Sequence, residues 1–340
     1  MIRAPAPIVF ALAFAATGLA LADGPPGFAL PIACTPGIDC FVQNYVDQDP
    51  GPEAADYTCG SLSYDGHDGT DIRLGDLTAM AAGVAVLAAA EGIVLRVRDG
   101  EADGVFIASG AAAVADREAG NGVVLDHGGG WETQYSHLRQ GSVVVQPGQR
   151  VAAGDLLGLV GLSGRTEFPH VEFTVRQDGG VVDPFEGLAA GSDCAATGPG
   201  LWLAETARRL SYQAGGLLKA GFAAEKPTPD AARTGVYAAI TPTTAADALV
   251  FWVDVFGTRT GDREAIRLIA PDGQIVAEAE LVHDHDRAQW FRFVGLRRPD
   301  AGWPPGVYRG GYTLLRPSAG GGSAVIVDVE DTVAVVAPVQ

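Results

Sequence analysis

The sequence predicts a mainly β protein in two parts: a two-layer, antiparallel β-sheet domain followed by a small β-sandwich. Apolar stretches of strand length recur along the chain, and Gly-rich turns separate them. The 46 glycines outweigh a modest 8% aromatic content, which suits turn-rich β-structure better than helical bundles. The 340 residues give room for two domains, and 47% hydrophobic content allows filled cores. A formal charge of −18 opposes sequence-independent binding to nucleic acid, and no basic stripe counters it.

Residues 1–22 read as a signal peptide. Arg3 supplies the positive start, Ile8 to Leu21 an apolar run, and Ala20-Leu21-Ala22 a small-x-small cleavage pattern. The mature chain is expected to begin at Asp23 and to be periplasmic or secreted. The apolar run falls short of the ~20 residues that span a bilayer, and no later segment comes close, so no transmembrane segment is expected after cleavage. In an oxidising compartment Cys34, Cys40, Cys59 and Cys194 are expected to form two disulfides. Their spacing does not choose among the pairings. The favoured one joins Cys34 to Cys40, closing a small loop, and Cys59 to Cys194, clasping the ends of the central domain. The absence of a CxxC argues against a cysteine metal or redox site.

Residues 23–62 form a Cys-containing, Pro/Gly-rich segment. The β-sheet domain is expected over 63–190, with strands at Gly92–Val97, Gly122–Asp126, Ser142–Val145, Asp155–Val160 and His170–Arg176. Arg98 to Gly120 is long and weakly patterned, and reads as an inserted loop. Residues 191–232 are expected to be a helical linker, with a short helix within 200–213. The β-sandwich is expected over 233–340, with strands at Ala248–Phe256, Glu264–Ile269, Gln289–Val294 and Val307–Leu315.

Four histidines fall within the central domain. His67 opens a His-x-x-x-Asp motif ending at Asp71, where Gly66 and Gly69 argue against a helix. His137 follows the strand at 122–126 and the turn Gly128-Gly129-Gly130. His170 and Glu172 stand two apart on a strand and so share a face, which is a metal-site arrangement. His127 reads as a structural neighbour of these residues. His283-Asp284-His285-Asp286 reads as a solvated turn of the second domain. No phosphate-loop or serine-nucleophile signature is present.

Together, His67, Asp71, His137, His170 and position 172 resemble the site pattern of the lysostaphin-type (LytM-like) zinc metalloendopeptidases. Asp126-His127-Gly128, Tyr135-Ser136-His137-Leu138, Val145-Gln146-Pro147-Gly148 and Gly161-Leu162-Ser163-Gly164 extend the likeness over residues 64–188. The resemblance implies the duplicated hybrid motif fold and hydrolysis of peptide cross-links in bacterial peptidoglycan. It implies Zn²⁺ held by His67, Asp71 and the residue at 172, with His137 and His170 as the catalytic pair. The family has a second histidine where this sequence has Glu172. Glutamate is an accepted zinc ligand, so the expected activity is a secreted peptidoglycan endopeptidase. The alternative is a degenerate member that binds wall peptides or activates a wall-hydrolase partner. The C-terminal part resembles Ig-like accessory modules.

Overall fold

The computed structural model describes residues 25–338 apart from 193, 195–197, 199 and 319; the expected signal peptide and its cleavage site lie outside them. The first domain contains strands β1 (Cys40–Asn44), β2 (Thr70–Leu74), β3 (Ala85–Leu87), β4 (Gly92–Arg98), β5 (Asn121–Gly128), β6 (Trp131–Leu138), β7 (Arg150–Val151), β8 (Leu156–Leu159), β9 (His170–Gln177), β10 (Gly180–Asp183) and β11 (Leu188–Ala189). Nine of them form one antiparallel sheet whose main path runs β1-β2-β9-β6-β5-β4-β7, with β10 and β11 branching from β9. Strands β3 and β8 form a separate pair.

Alternation along these strands decides what the sheet covers. On β9, Val171, Phe173 and Val175 are fully buried in a core shared with Tyr135 of β6 and Ile72 of β2. The residues between them, His170, Glu172 and Thr174, turn to the opposite face, as the two-residue strand period requires. That second face carries a buried polar cluster, and the cleft it lines is termed the groove.

The second domain contains β12 (Gly216–Ala223), β13 (Ala248–Thr258), β14 (Arg263–Ile269), β15 (Ile275–Val282), β16 (Arg287–Arg297), β17 (Gly306–Pro317) and β18 (Ser323–Val335). Sheets of order β12-β13-β16 and β15-β14-β17-β18 enclose a core that includes Phe251, Val253, Leu268, Tyr308 and Tyr312. This is the expected sandwich. Phe41, Leu218 and Phe256 pack together where the two domains meet.

Local departures have identifiable causes. Ser142–Val145 is not a strand: the Ser142 hydroxyl turns back onto the Arg139 carbonyl, and its N–H goes to the Asp99 carboxylate. Within 191–232 the helices are short, Ala204–Arg209 and Pro229–Arg233, and β12 between them pairs along β13. Pairing with a long buried strand overrides the weak alternation of its sequence. The 98–120 insertion holds a short helix, Val105–Ser109, and a 3-10 turn, Ala111–Val114. Both expected disulfides are present, Cys34–Cys40 and Cys59–Cys194.

Candidate metal centre

Sheet register brings the acidic residues together. Asp71 on β2 lies directly opposite Glu172 on β9, and Ser136 on β6 flanks Glu172 from the other side. His67 enters from the turn before β2. That turn is held by Asp47, whose carboxylate accepts from Gly66 N and whose N–H donates to the His67 carbonyl. Gly69 is required here, because a Cβ on it would lie 2.6 Å from Glu172 Cγ.

His137 reaches the groove by breaking alternation. Tyr135 faces the core, and simple alternation would send His137 the same way. A bulge intervenes: Asn121 pairs with Leu138 but Val123 pairs with Tyr135, so β6 carries an extra residue. His137 has φ +62°, a left-handed conformation that re-aims its ring. It then lies 4.6 Å from the His170 ring, centroid to centroid.

Each imidazole is oriented by a backbone carbonyl. Nδ1 of His67 donates to Tyr45 O at 2.8 Å, that of His137 to Ser163 O at 2.7 Å, and that of His170 to Phe168 O at 3.0 Å. A carbonyl only accepts, so each Nδ1 carries the hydrogen and each Nε2 points inward. His67 Nε2 lies 3.2 Å from Asp71 Oδ1 and 3.5 Å from Glu172 Oε1. His137 Nε2 lies 3.4 Å from Glu172 Oε2, and His170 Nε2 lies 3.3 Å from Asp71 Oδ1. Asn44 donates to the remaining Asp71 oxygen at 2.8 Å.

A neutral ring with hydrogen on Nδ1 offers a lone pair at Nε2, which here meets carboxylate oxygens. Acceptor against acceptor is stable only with a proton or a cation between them. His67, Asp71 and Glu172 could hold a metal ion, since their ligand atoms lie within 4.8 Å of one another. Tetrahedral zinc with N and O ligands sets donor atoms about 3.3–3.6 Å apart, close to the spacing seen. The donor set therefore fits zinc.

The electrostatics follow from the same crowding. Burial disfavours charge on Asp71, but His67 and His170 outweigh it and hold the carboxylate well below its usual range. Burial likewise opposes the Glu172 charge, and the contacts with His137 and His67 more than reverse it. His67 is raised despite burial by Asp71 and Glu172, and His137 despite burial by Glu172. Burial, then Asp71 and Glu172, raises Tyr64, whose ring lies 4.4 Å from that of His67.

All five expected site residues converge in this groove. His127 stands apart, buried between the Glu91 carbonyl and Thr133 Oγ1. His283 corrects the sequence reading. It is 1% exposed, held by Glu264 and Arg287, whereas His285 and Asp284 are exposed as expected of a turn. Asn44, Tyr64 and Thr166, which lies 3.1 Å from His170 Nδ1, carry no sequence signal that singles them out.

Residues 65–184 match the family model "Peptidase family M23". They form an M23 peptidase domain. Curated relatives match the chain over this region. Peptidoglycan DD-endopeptidase ShyA of Vibrio cholerae serotype O1 is 32% identical over 107 residues, 32% of this chain and 19% of that protein. DD-carboxypeptidase/endopeptidase Mpg of Neisseria meningitidis serogroup B is 38% identical over 65 residues, 19% of this chain and 14% of that protein. The matched segments thus span a fifth or less of those relatives. Among solved structures, a zinc-containing peptidase from Vibrio cholerae is 26% identical, covering 42% of this chain and 39% of that one with a TM-score of 0.27. The M23 match runs from the turn before His67 to just beyond β10, so it contains all five site residues.

Proposed function

We propose that the chain is an exported zinc metalloendopeptidase that cuts peptide cross-links of peptidoglycan. The observation that carries this reading is the convergence of the inward Nε2 atoms of three carbonyl-anchored imidazoles on the Asp71–Glu172 pair, inside an M23 domain. The DD-endopeptidase relatives support the substrate class, and the two disulfides support an oxidising compartment.

His67, Asp71 and Glu172 would hold the metal. When bound, zinc supplies a Lewis acid that polarises a carbonyl and acidifies water, weakened here because two carboxylates balance its formal charge. His137 and His170 stand side by side with Nε2 free of backbone partners. One accepts the proton of the attacking water and passes it to the amine as the C–N bond breaks. The other, protonated from solvent beforehand, gives a hydrogen bond to the oxyanion that develops on the scissile carbonyl. The Ser163 and Phe168 carbonyls hold the two rings so that no reorientation is needed during reaction.

A second reading has its own observation. Both Glu172 oxygens are engaged, one with His67 and one with His137, a network that protons alone can sustain. In that reading the domain is a degenerate binder of wall peptides or an activator of a wall hydrolase. Zinc analysis and peptidoglycan digestion by the purified chain separate the two. The endopeptidase reading expects one zinc per chain and hydrolysis that increases toward alkaline pH, with Glu172→His moving the ascending limb to lower pH. A wild-type chain that binds no zinc and cuts nothing, and gains both properties in Glu172→His, establishes the degenerate reading.

A further inference from the structure

The sheet face that carries His170 and Glu172 continues across β6, β5 and β4, and its far end has a different chemistry. From Glu172 on β9 the sheet steps to Ser136 and Gln134 on β6, then to Gly122 and Val124 on β5, then to Arg96 and Arg98 on β4. Gln134 donates to Ser136 Oγ at 2.9 Å and accepts from Arg176 at 3.1 Å, which makes this floor polar. A cavity of about 280 Å³ opens over this floor, lined by Arg96, Arg98, Gly120, Gly122, Gln134 and Ser136 among others.

Its charge runs against the rest of the molecule. The chain carries 41 acidic and 23 basic residues, yet this lining contains two guanidinium groups and no carboxylate. Neither arginine is committed to a strong partner. Arg96 meets Glu132 at 3.5 Å as an exposed pair, and such pairs contribute little. Arg98 uses one donor on the Gly120 carbonyl at 3.2 Å, out of the five that a guanidinium carries.

We infer that Arg96 and Arg98 form a subsite for a carboxylate of the peptide substrate, a refinement that rests on the endopeptidase reading above. Guanidinium forks match carboxylates in shape and charge. Three strand spacings separate β9 from β4, roughly 14 Å. An extended peptide advances about 3.3–3.6 Å per residue, so the carboxylate bound here lies some two to four residues from the scissile bond once the arginines reach inward. The subsite selects substrates that carry a free acid at that distance and disfavours those in which it is amidated.

The test uses the full chain and two dye-labelled peptidoglycan-stem peptides, one with free carboxylates and one with all of them amidated. Fluorescence anisotropy reads binding, and product analysis reads cutting. Wild type is expected to bind the acid form about tenfold more tightly at low salt, with the ratio shrinking as salt rises. Arg96→Ala/Arg98→Ala should bring the ratio to within about twofold of one, and the double lysine variant should keep part of it. Equal binding of the two peptides by wild type, binding of neither, or a double alanine variant that keeps the full ratio overturns the subsite. A tenfold preference without cutting retains the subsite and removes the endopeptidase reading. Cutting without preference does the reverse.

Discussion

Each domain buries histidine beside carboxylate, and the two clusters are supplied with hydrogen in opposite ways. In the sandwich, Glu264 receives Trp290 Nε1 and Tyr312 OH at 2.9 Å each and faces Arg292 at 3.0 Å. His283 joins them through Nε2 at 3.3 Å. Arg287 donates to His283 Nδ1 at 3.0 Å, so the ring must carry its hydrogen on Nε2 and give it to Glu264. In the M23 domain the tautomers are reversed. Backbone carbonyls take the Nδ1 hydrogens, leaving Nε2 lone pairs against Asp71 and Glu172. A carboxylate whose Oε2 collects three donors and whose Oε1 faces a guanidinium holds a fold together; carboxylates left facing lone pairs suit a cation.

The largest effects come from breaking the groove's side of this contrast. His137→Ala or His170→Ala should lower peptidoglycan hydrolysis by about 10²- to 10⁴-fold, the usual contribution of acid–base groups. Zinc content by mass spectrometry should stay near wild type in both, whereas His67→Ala and Asp71→Ala should lose the metal. Loss of zinc from His170→Ala would show that the division between ligands and proton carriers is misdrawn.

On the sandwich side, Glu264→Ala leaves Arg292 facing no charge and strips Trp290 and Tyr312 of their acceptor. Removing one partner from a buried ion pair costs about 3–5 kcal/mol. Denaturation of the variant should show that loss with zinc stoichiometry unchanged; loss of zinc would mean that the two clusters are coupled.

A third buried carboxylate tests the contrast between these limits. Asp183 receives only neutral donors, Phe185 N at 2.8 Å and Gln48 Nε2 at 3.0 Å. Burial raises its pKa to about 6, with those hydrogen bonds pulling the other way. The folded state therefore holds this proton more tightly than the unfolded chain. The associated stability is fully present below about pH 4 and is lost as pH increases through about 6, on the order of 3 kcal/mol. Urea midpoints across that window should be flatter in Asp183→Asn; an unchanged slope would exclude Asp183 as their source.

The smallest change concerns Asn44, the neutral donor to Asp71. Asn44→Ala should weaken zinc roughly tenfold, as loss of a partner that orients a ligand does. Competition with a chelator of known affinity measures it, and an unchanged constant would make the contact incidental.

How far the sequence revealed these features depends on what kind of pattern each one leaves. His-x-Glu was legible because strand alternation places His170 and Glu172 on one face, whereas His-x-x-x-Asp, with His67 in the turn before β2, gained meaning only beside the other site residues. His137 was legible only through the family pattern, since the bulge that aims it has no signature in Gln134-Tyr135-Ser136. The carbonyls of Tyr45, Ser163 and Phe168 are backbone atoms that any residue could supply, so nothing in the sequence announces them. His283 was misread because an acidic, His-containing turn looks solvated until Glu264, nineteen positions earlier, is seen beneath it. Strand β12 was missed because Gly216, Gly221 and Lys219 blur its alternation, and only β13 makes it a strand.

The Cys59–Cys194 bridge closes a loop with a sequence separation of 135, and His67, Asp71, His137, His170 and Glu172 all lie inside it. The groove is therefore built within a covalent ring. The 98–120 insertion, with Ile107 58% exposed, belongs to the same ring and offers proteases an accessible stretch. A single nick there opens the ring but leaves both halves of the site joined through sulfur. Two cuts within the ring, or one cut followed by reduction, are needed before any of these five side chains can be carried away from the others.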